Sequence, residues 1–212
     1  MNELRYKIKY NLVPTMTVVF MAINIIVFVV ESFFFGDSES YFTAMKFGAY
    51  YYPKFEDGQW YRLFTSCFVH FGFEHLFSNM LGLFAMGMYV EKYFGKLKFT
   101  IFYILSGLGG SLMILFFDLN ARGPQDYVLG AGASGSIFGL VGIFIVFALS
   151  EETKDEFPLP RVLFGIILMF IPSFMDKRIS LKAHAGGFIV GLILGMIFMY
   201  IERIKREKRR RY

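Results

Sequence analysis

A serine and a histidine each stand at the start of a long apolar stretch of this chain. Ser134 lies in GAGASGSIFG, a glycine-rich turn from Gly130 to Gly139, and His184 lies in AHAGGFIVG. A serine becomes a nucleophile when a neighbouring imidazole accepts its proton. The two side chains are therefore a candidate nucleophile and general base for acyl transfer, and His184 would later protonate the leaving amine.

Acyl transfer also needs hydrogen-bond donors for the oxyanion that develops on the substrate. His75 and Asn79 are four residues apart in the sequence, so they share one face of a helix and could supply side-chain donors. Ser134 opens a predicted helix, where backbone N–H groups lack partners. Other roles stay open, since Asn79 could form an interhelical hydrogen bond and His75 could be an interfacial histidine.

Other hydrolytic centres do not fit the sequence. The segment HFGFEH, residues 70–75, has the wrong order and spacing for the zinc motif HExxH, and the predicted spans lack the aspartate pair of an aspartyl protease. Cys67 is the single cysteine and has no metal-ligand spacing. Asp176 is the acidic residue nearest to His184 in sequence, and its place in a loop favours ordinary solvation. We therefore predict a serine–histidine dyad with no orienting acid, no metal and no cofactor.

The composition indicates the elements that must position these residues. The chain has 212 residues, 56% of them hydrophobic and 20% aromatic, and a mean hydropathy of +0.50, which excludes an ordinary soluble domain. We predict an all-α polytopic membrane protein, a bundle of six transmembrane helices over residues 15–201, between a segment 1–14 and a basic tail 202–212. The six apolar segments are Thr15–Phe34, Phe73–Val90, Leu97–Phe117, Ser134–Leu149, Val162–Met175 and Ala183–Ile201.

The basic residues predict the orientation of the bundle. Lys and Arg are retained on the cytoplasmic side of a membrane, and 15 of the 22 fall in connections that share one side. They are Arg5, Lys7, Lys9, Lys92, Lys96, Lys98, Lys154, Arg161 and the seven basic residues of the tail. Both termini are therefore predicted to be cytoplasmic in a multi-pass protein of the cell membrane. The tail is more typical of an anchor on anionic lipid than of a nucleic-acid site.

Helix rise gives the depth of each candidate residue. Each helical residue advances about 1.5 Å, and the count starts at the charged residue that ends each span on the cytoplasmic side. By this count Ser134 and His75 lie roughly 24 Å above the cytoplasmic end of their spans, His184 roughly 27 Å and Asn79 roughly 18 Å. All four side chains are thus predicted in one layer near the outer face.

Small residues predict which two spans touch. The sixth segment carries Gly187, Gly191 and Gly195 at intervals of four, and the fourth carries Gly135 and Gly139. Such faces let two membrane helices approach closely, although they are also common as plain packing devices. The approach would bring Ser134 towards His184.

These residues resemble the rhomboid family of intramembrane serine proteases, in its bacterial six-span form. The matching pieces are GASG, AHAGGFIVG, HLFSN, WYRLFTSCFVHFGFEH and VEKYFG. The resemblance implies cleavage of single-span membrane protein substrates near the outer end of their transmembrane helix. It also implies that Ser134 attacks, that His184 is the base, that His75, Asn79 and the Ser134 N–H form the oxyanion hole, and that the fifth span is a lateral gate.

Two positions depart from the family pattern. Phe138 stands where the family often has a tyrosine against the catalytic imidazole, and Trp60-Tyr61-Arg62 replaces an adjacent Trp-Arg pair. Two other functions remain possible on the sequence alone. One is a catalytically inactive relative that binds transmembrane helices, and the other is a small transporter with a broken fourth helix, for which the expected midmembrane charges and repeated halves are missing.

Overall fold

The computed structural model describes residues 14–175 and 179–210. These residues form the helices α1 Thr15–Phe35, α2 Tyr41–Lys46, α3 Tyr52–Glu56, α4 Arg62–Thr65, α5 Gly72–Phe94, α6 Lys96–Leu119, α7 Ser134–Leu149, α8 Leu159–Met175 and α9 Leu181–Arg210. Within that part of the chain, the β-structure is a single bridge between Tyr50 and Gly130. The predicted all-α class is confirmed. The segment before Pro14 and Asp176 lie outside the described residues.

The six long helices, α1 and α5 to α9, match the six predicted segments. Helices α1, α6 and α9 are long and apolar enough to cross a membrane, and α7 and α8 are shorter apolar helices. The bounds of α7 agree with the sequence at both ends. Helix α9 continues nine residues past the predicted end at Ile201, because a helix can continue beyond the apolar stretch wherever charged side chains pair along it, as Arg203 and Glu207 do at 3.0 Å.

Helix α7 lies at the centre of the bundle. Most of its residues from Gly135 to Ala148 are buried, and it packs against α5, α6, α8 and α9. A helix that is apolar on every side is expected to be surrounded by other elements. Helix α1 lies at the periphery and leaves apolar side chains such as Ile26 and Phe33 exposed. The position of α7 gives the residue at its start, Ser134, neighbours from several helices.

Close contact between α7 and α9 depends on the predicted glycines. A Cβ atom at Gly187 would overlap the carbonyl oxygen of Gly135, and one at Gly191 would overlap that of Gly139. A Cβ at Gly195 would lie 3.0 Å from a methyl group of Val146. The predicted approach of these two helices is confirmed, and the backbones touch because neither carries side chains at the crossing.

Polar contacts fix the end of the bundle opposite to Ser134. Glu91, at the end of α5, accepts hydrogen bonds from the backbone N–H groups of Met16 (2.8 Å) and Thr17 (2.7 Å), and it thereby caps α1. Arg206 of α9 contacts Glu152 and donates to Tyr93 Oη at 3.0 Å. The helices α1, α5 and α9 are therefore tied together at this end.

The turn from Ser150 to Pro158 joins α7 to α8 and is itself anchored. The Thr153 hydroxyl donates to the Phe147 carbonyl oxygen at 2.6 Å. The Phe157 ring contacts the rings of Phe144 and Phe147, with centroids 5.2 Å away in both cases. The start of α8 is held by these contacts.

Candidate active site

The loop before Ser134 is held at both of its ends. Gly130 exchanges two backbone hydrogen bonds with Tyr50, at 2.8 and 2.9 Å, and the Gly132 N–H donates to the Ser66 carbonyl oxygen at 2.9 Å. Gly132 has a φ of +114°, a backbone conformation that residues with a side chain rarely adopt. The loop therefore delivers Ser134 to the first position of α7, where its backbone N–H has no partner within the helix.

His70 is hydrogen-bonded to this loop. The Ala133 N–H donates to His70 Nε2 at 3.3 Å, while His70 Nδ1 lies 3.2 Å from the Phe68 carbonyl oxygen. The ring therefore carries its hydrogen on Nδ1 and is neutral. Burial lowers the pKa of His70 to about 3, the nearby His75 lowers it further, and the Phe68 carbonyl acts in the opposite direction.

His184 lies in the first turn of α9 and is buried. The Phe138 ring stacks on its imidazole, with ring centroids 3.9 Å apart and an interplanar angle of 11°. Its Nδ1 atom lies 2.6 Å from the hydroxyl oxygen of Ser173 on α8. Phe138 thus contacts one face of the imidazole and Ser173 contacts its Nδ1 atom. The Nε2 atom is left for another partner.

Ser134 and His184 lie at the same end of two helices in contact. Phe138, which touches the imidazole, is one turn after Ser134 on α7. A Cβ on Gly135, the next residue, would lie 3.7 Å from the carbonyl oxygen of Ala183, which precedes His184. The Ser134 hydroxyl donates no hydrogen bond to any residue that the structure describes. Catalytic hydrogen bonds are often long or poorly aligned before a substrate binds. The candidate dyad therefore rests on the position of the two residues at the same end of adjacent helices.

His75 borders a small space beside the serine. A methyl group added to Gly132 would lie 2.9 Å from His75 Nε2 and 3.8 Å from Ser134 Oγ. The Phe71 N–H donates to His75 Nδ1 at 3.3 Å, so the hydrogen of the neutral ring is on Nε2. An N–H donor therefore flanks the space next to the Ser134 hydroxyl.

Asn79 lies one turn further along α5 and is buried. Its Nδ2 atom donates to the His75 carbonyl oxygen at 2.7 Å, which is a bond within its own helix. Among the described residues, Asn79 therefore bonds within α5 and not to another helix. The second Nδ2 hydrogen has no partner in this contact and remains a possible donor.

Comparison with known proteins gives the family. Residues 57–201 match the rhomboid domain, which covers more than half of the chain. The chain belongs to the rhomboid family. With its apolar helices, this rhomboid is an integral membrane protein.

Relatives from plants and bacteria share the match. The rhomboid chain is 34% identical over 160 residues to RHOMBOID-like protein 5 of Arabidopsis thaliana, over 74% of this chain and 50% of that protein. It is 32% identical over 179 residues to rhomboid protease GluP of Bacillus subtilis, over 84% of this chain and 34% of GluP. The putative rhomboid protease YdcA of the same species is 30% identical over 157 residues, 74% of this chain and 73% of YdcA. The chain thus spans half or less of the length of the first two relatives.

Sequence reasoning missed three residues of this rhomboid site. Ser173 and His70 form tertiary contacts, and no spacing in the sequence pairs Ser173 with His184 or His70 with Ala133. Arg62 and His70 were noted only as members of a motif, with no contact assigned to either. Arg62 is buried and donates to the carbonyl oxygens of Met45 (2.7 Å) and Ala49 (2.9 Å), so it holds the long loop after α1.

No metal centre accompanies these residues in the described part of the chain. No group of three or more His, Cys, Asp and Glu side chains within residues 14–175 and 179–210 could hold an ion. Cys67 is buried as a free thiol, and burial raises its pKa to about 11.

Proposed function

We propose that this rhomboid is an intramembrane serine endopeptidase that cleaves the transmembrane helix of single-span membrane proteins near its outer end. The observation that carries the proposal is that Ser134 and His184 lie at the same end of two helices in contact, with His75 bordering the space beside the Ser134 hydroxyl. The names of two relatives, rhomboid protease GluP and putative rhomboid protease YdcA, support it.

The proposed reaction begins with proton transfer. His184 Nε2 accepts the hydroxyl proton of Ser134 as Oγ forms a bond to the substrate carbonyl carbon. The Ser134 N–H, the His75 Nε2–H and the Asn79 amide donate to the resulting oxyanion. The carbon–nitrogen bond then breaks as His184 gives its proton to the leaving amine. Water attacks the acyl-enzyme by the same steps and regenerates Ser134.

Helix α8 is the proposed route by which a substrate helix reaches Ser134. Its lipid-facing side chains are widely exposed, and they are Leu163, Phe164, Ile167, Leu168, Ile171, Phe174 and Met175. Within Leu159–Met175 only Ser173 is buried. A helix with few buried contacts can move at a low cost in free energy. Displacement of α8 would therefore expose the site sideways to a helix in the bilayer.

The charge pattern supports an orientation in the cell membrane. The basic residues of the turn after α5, of the α7–α8 turn and of the α9 end all lie at the end of the bundle opposite to Ser134. We infer that this end is cytoplasmic, with both termini, and that the basic end of α9 contacts anionic lipid. Ser134 would then face the outer side, within a membrane domain of residues 15–201.

Cleavage by the purified chain in liposomes, with a single-span substrate, tests the activity. Ser134→Ala and His184→Ala should each abolish cleavage. Ser136→Ala is the matched control, since Ser136 is a buried serine two residues further on whose hydroxyl has no described partner, and it should cleave like the wild type. A fluorophosphonate should label Ser134 alone.

Two results would contradict the proposal. Cleavage by Ser134→Ala at the wild-type rate would remove the serine from the reaction, and labelling of Ser136 would assign the wrong residue. A wild-type chain that binds the substrate helix, but neither cleaves it nor reacts with the fluorophosphonate, would instead support the inactive helix-binding relative.

A further inference from the structure

Ser173 is an exception on its own helix. It is the single buried residue of α8, with 8% of its surface exposed, while its neighbours Phe174 and Met175 are 72% and 81% exposed. A helix in lipid is expected to bury apolar side chains of its packed face, whereas α8 turns a hydroxyl inwards. Polar groups within a membrane helix indicate a specific partner.

That partner is the imidazole of His184. The Ser173 hydroxyl oxygen lies 2.6 Å from His184 Nδ1, and Phe170, one turn earlier on α8, contacts the Phe138 ring at 4.6 Å. Helix α8 therefore touches both the imidazole and the ring stacked on it. No carboxylate among the described residues bonds to His184, so the hydroxyl occupies the place that an orienting acid has in a serine–histidine–aspartate triad.

The direction of the hydrogen bond decides what the contact does. If His184 Nδ1–H donates to Ser173, Nε2 is left with a lone pair and can accept the Ser134 proton. If Ser173 donates to Nδ1, the ring hydrogen moves to Nε2 and the ring cannot act as a base towards Ser134. A serine within a helix can direct its own hydrogen to a carbonyl of the preceding turn, which leaves its oxygen free to accept from Nδ1.

We propose that Ser173 is a positioning residue, whose hydroxyl oxygen accepts the His184 Nδ1 hydrogen and keeps Nε2 available to Ser134. This inference rests on the proposed function. When Nε2 takes up the serine proton, the imidazole ring becomes positively charged. The Ser173 oxygen, which already accepts from Nδ1–H, then stabilises that charge. The contact also makes the gate helix part of the catalytic geometry, because moving α8 away removes the acceptor from His184.

The test compares variants of Ser173 in the purified full chain. Ser173→Ala should lower the rate of fluorophosphonate labelling of Ser134 by about tenfold or more, as expected for the loss of part of a general-base contribution of 10²–10⁴. Ser173→Thr retains the hydroxyl and should restore most of the rate. Ile167→Ala is the control, because Ile167 is on the same helix and is 60% exposed; it should label like the wild type. Ser173→Cys, similar in size and a weaker acceptor, gives the same comparison if Ser173→Ala unfolds.

Substrate kinetics separate positioning from a role in packing or gating. Loss of the acceptor should lower kcat while KM is unchanged, and the small soluble probe should report the same loss although no substrate helix has to pass α8. Labelling of Ser173→Ala at or above the wild-type rate would overturn the proposal, and so would failure of Ser173→Thr to recover. If the wild-type Ser134 is not labelled at all, the proposed activity itself fails, and that result is distinct from a Ser173 variant that labels normally.

Discussion

The Phe138 ring lies flat on the His184 imidazole, 3.9 Å from it between centroids and within 11° of parallel. Phe138 belongs to the same helix as Ser134, one turn further along. One rigid element therefore carries both the proposed nucleophile and the surface against which the proposed base rests.

Phe138→Ala should reduce cleavage by about tenfold or more, because the imidazole loses the aromatic surface that fixes its plane and small displacements at a reactive centre lower rates strongly. Phe138→Tyr keeps the ring and should remain active. The measurement is the initial rate of substrate cleavage in liposomes. Phe144→Ala removes an equal ring from the same helix far from His184 and serves as the control; equal losses in the two variants would refute a specific role for Phe138.

Gly132→Ala should abolish cleavage while the protein still folds. The added methyl group would lie 2.9 Å from His75 Nε2 and fill the space beside Ser134 Oγ, and the φ of +114° adds backbone strain of about 1–3 kcal/mol. Cleavage and thermal unfolding are both measured. Gly58→Ala is a control for the strain alone, since Gly58 has a φ of +84° and open space around it. A Gly132→Ala protein as active as Gly58→Ala would contradict an oxyanion site at this position.

Gly191→Ala should lower the thermal stability of the bundle and, with it, activity. Its methyl group would overlap the carbonyl oxygen of Gly139, and overpacking of this kind typically costs about 1–3 kcal/mol. The midpoint of thermal unfolding in detergent gives the result. Gly165→Ala, on α8 with no atom within 4 Å of the added carbon, should leave the midpoint unchanged. An unaltered midpoint for Gly191→Ala would show that α7 and α9 do not cross at this residue.

His70 should make the protein less stable as the pH falls. Its pKa in the folded protein is lowered to about 3, from an ordinary value of 6.5. Between these values the unfolded chain binds more protons than the folded one, so the free energy of unfolding decreases from about pH 6.5 downwards. At pH 5 the loss would reach about 2 kcal/mol, at 1.36 kcal/mol for each pKa unit.

The variant His70→Gln isolates this contribution, because the glutamine side chain can still accept from the Ala133 N–H but does not titrate in this range. The midpoint of thermal unfolding is compared at pH 7.5 and pH 5. The midpoint of the wild type should fall further between pH 7.5 and pH 5 than that of the variant. Equal losses would mean that another group causes the acid sensitivity.

The sequence predicted the elements of the fold because apolar segments in a membrane have one favourable conformation. The bounds of α7 were found at both ends, where a glycine-rich turn and a charged residue flank the apolar stretch. The end of α9 was missed, because hydropathy reports where a helix leaves the bilayer and does not report where its hydrogen bonds stop. Gly191 and Gly187 predicted the correct neighbour for α7, since backbone contact requires small residues on both helices.

The site was predictable where a residue's type and spacing determine its chemistry. Ser134 and His184 could be proposed from the sequence because a serine and a histidine at the same depth suffice to suggest a dyad, which stays a prediction. Ser173 was not found, because a serine beside a proline in an apolar helix is equally typical of lipid-exposed positions, and only the three-dimensional contact with Nδ1 distinguishes it. Asn79 donates to the carbonyl oxygen of His75 within its own helix, a partner that its spacing allowed but did not single out.

The anchored turn from Ser150 to Pro158 has a mechanical consequence for α8. Seventeen residues form a rod about 25 Å long, which is anchored next to Pro158 and contacts the bundle near its far end through Phe170 and Ser173. A rotation of roughly 15° about the anchored end, at Leu159, would move the other end, at Met175, by about 6 Å. That displacement is more than half of the usual distance of about 8–10 Å between helix axes. In the proposed gating, a modest rotation about the anchored end would therefore separate α8 from the bundle at the level of Ser134.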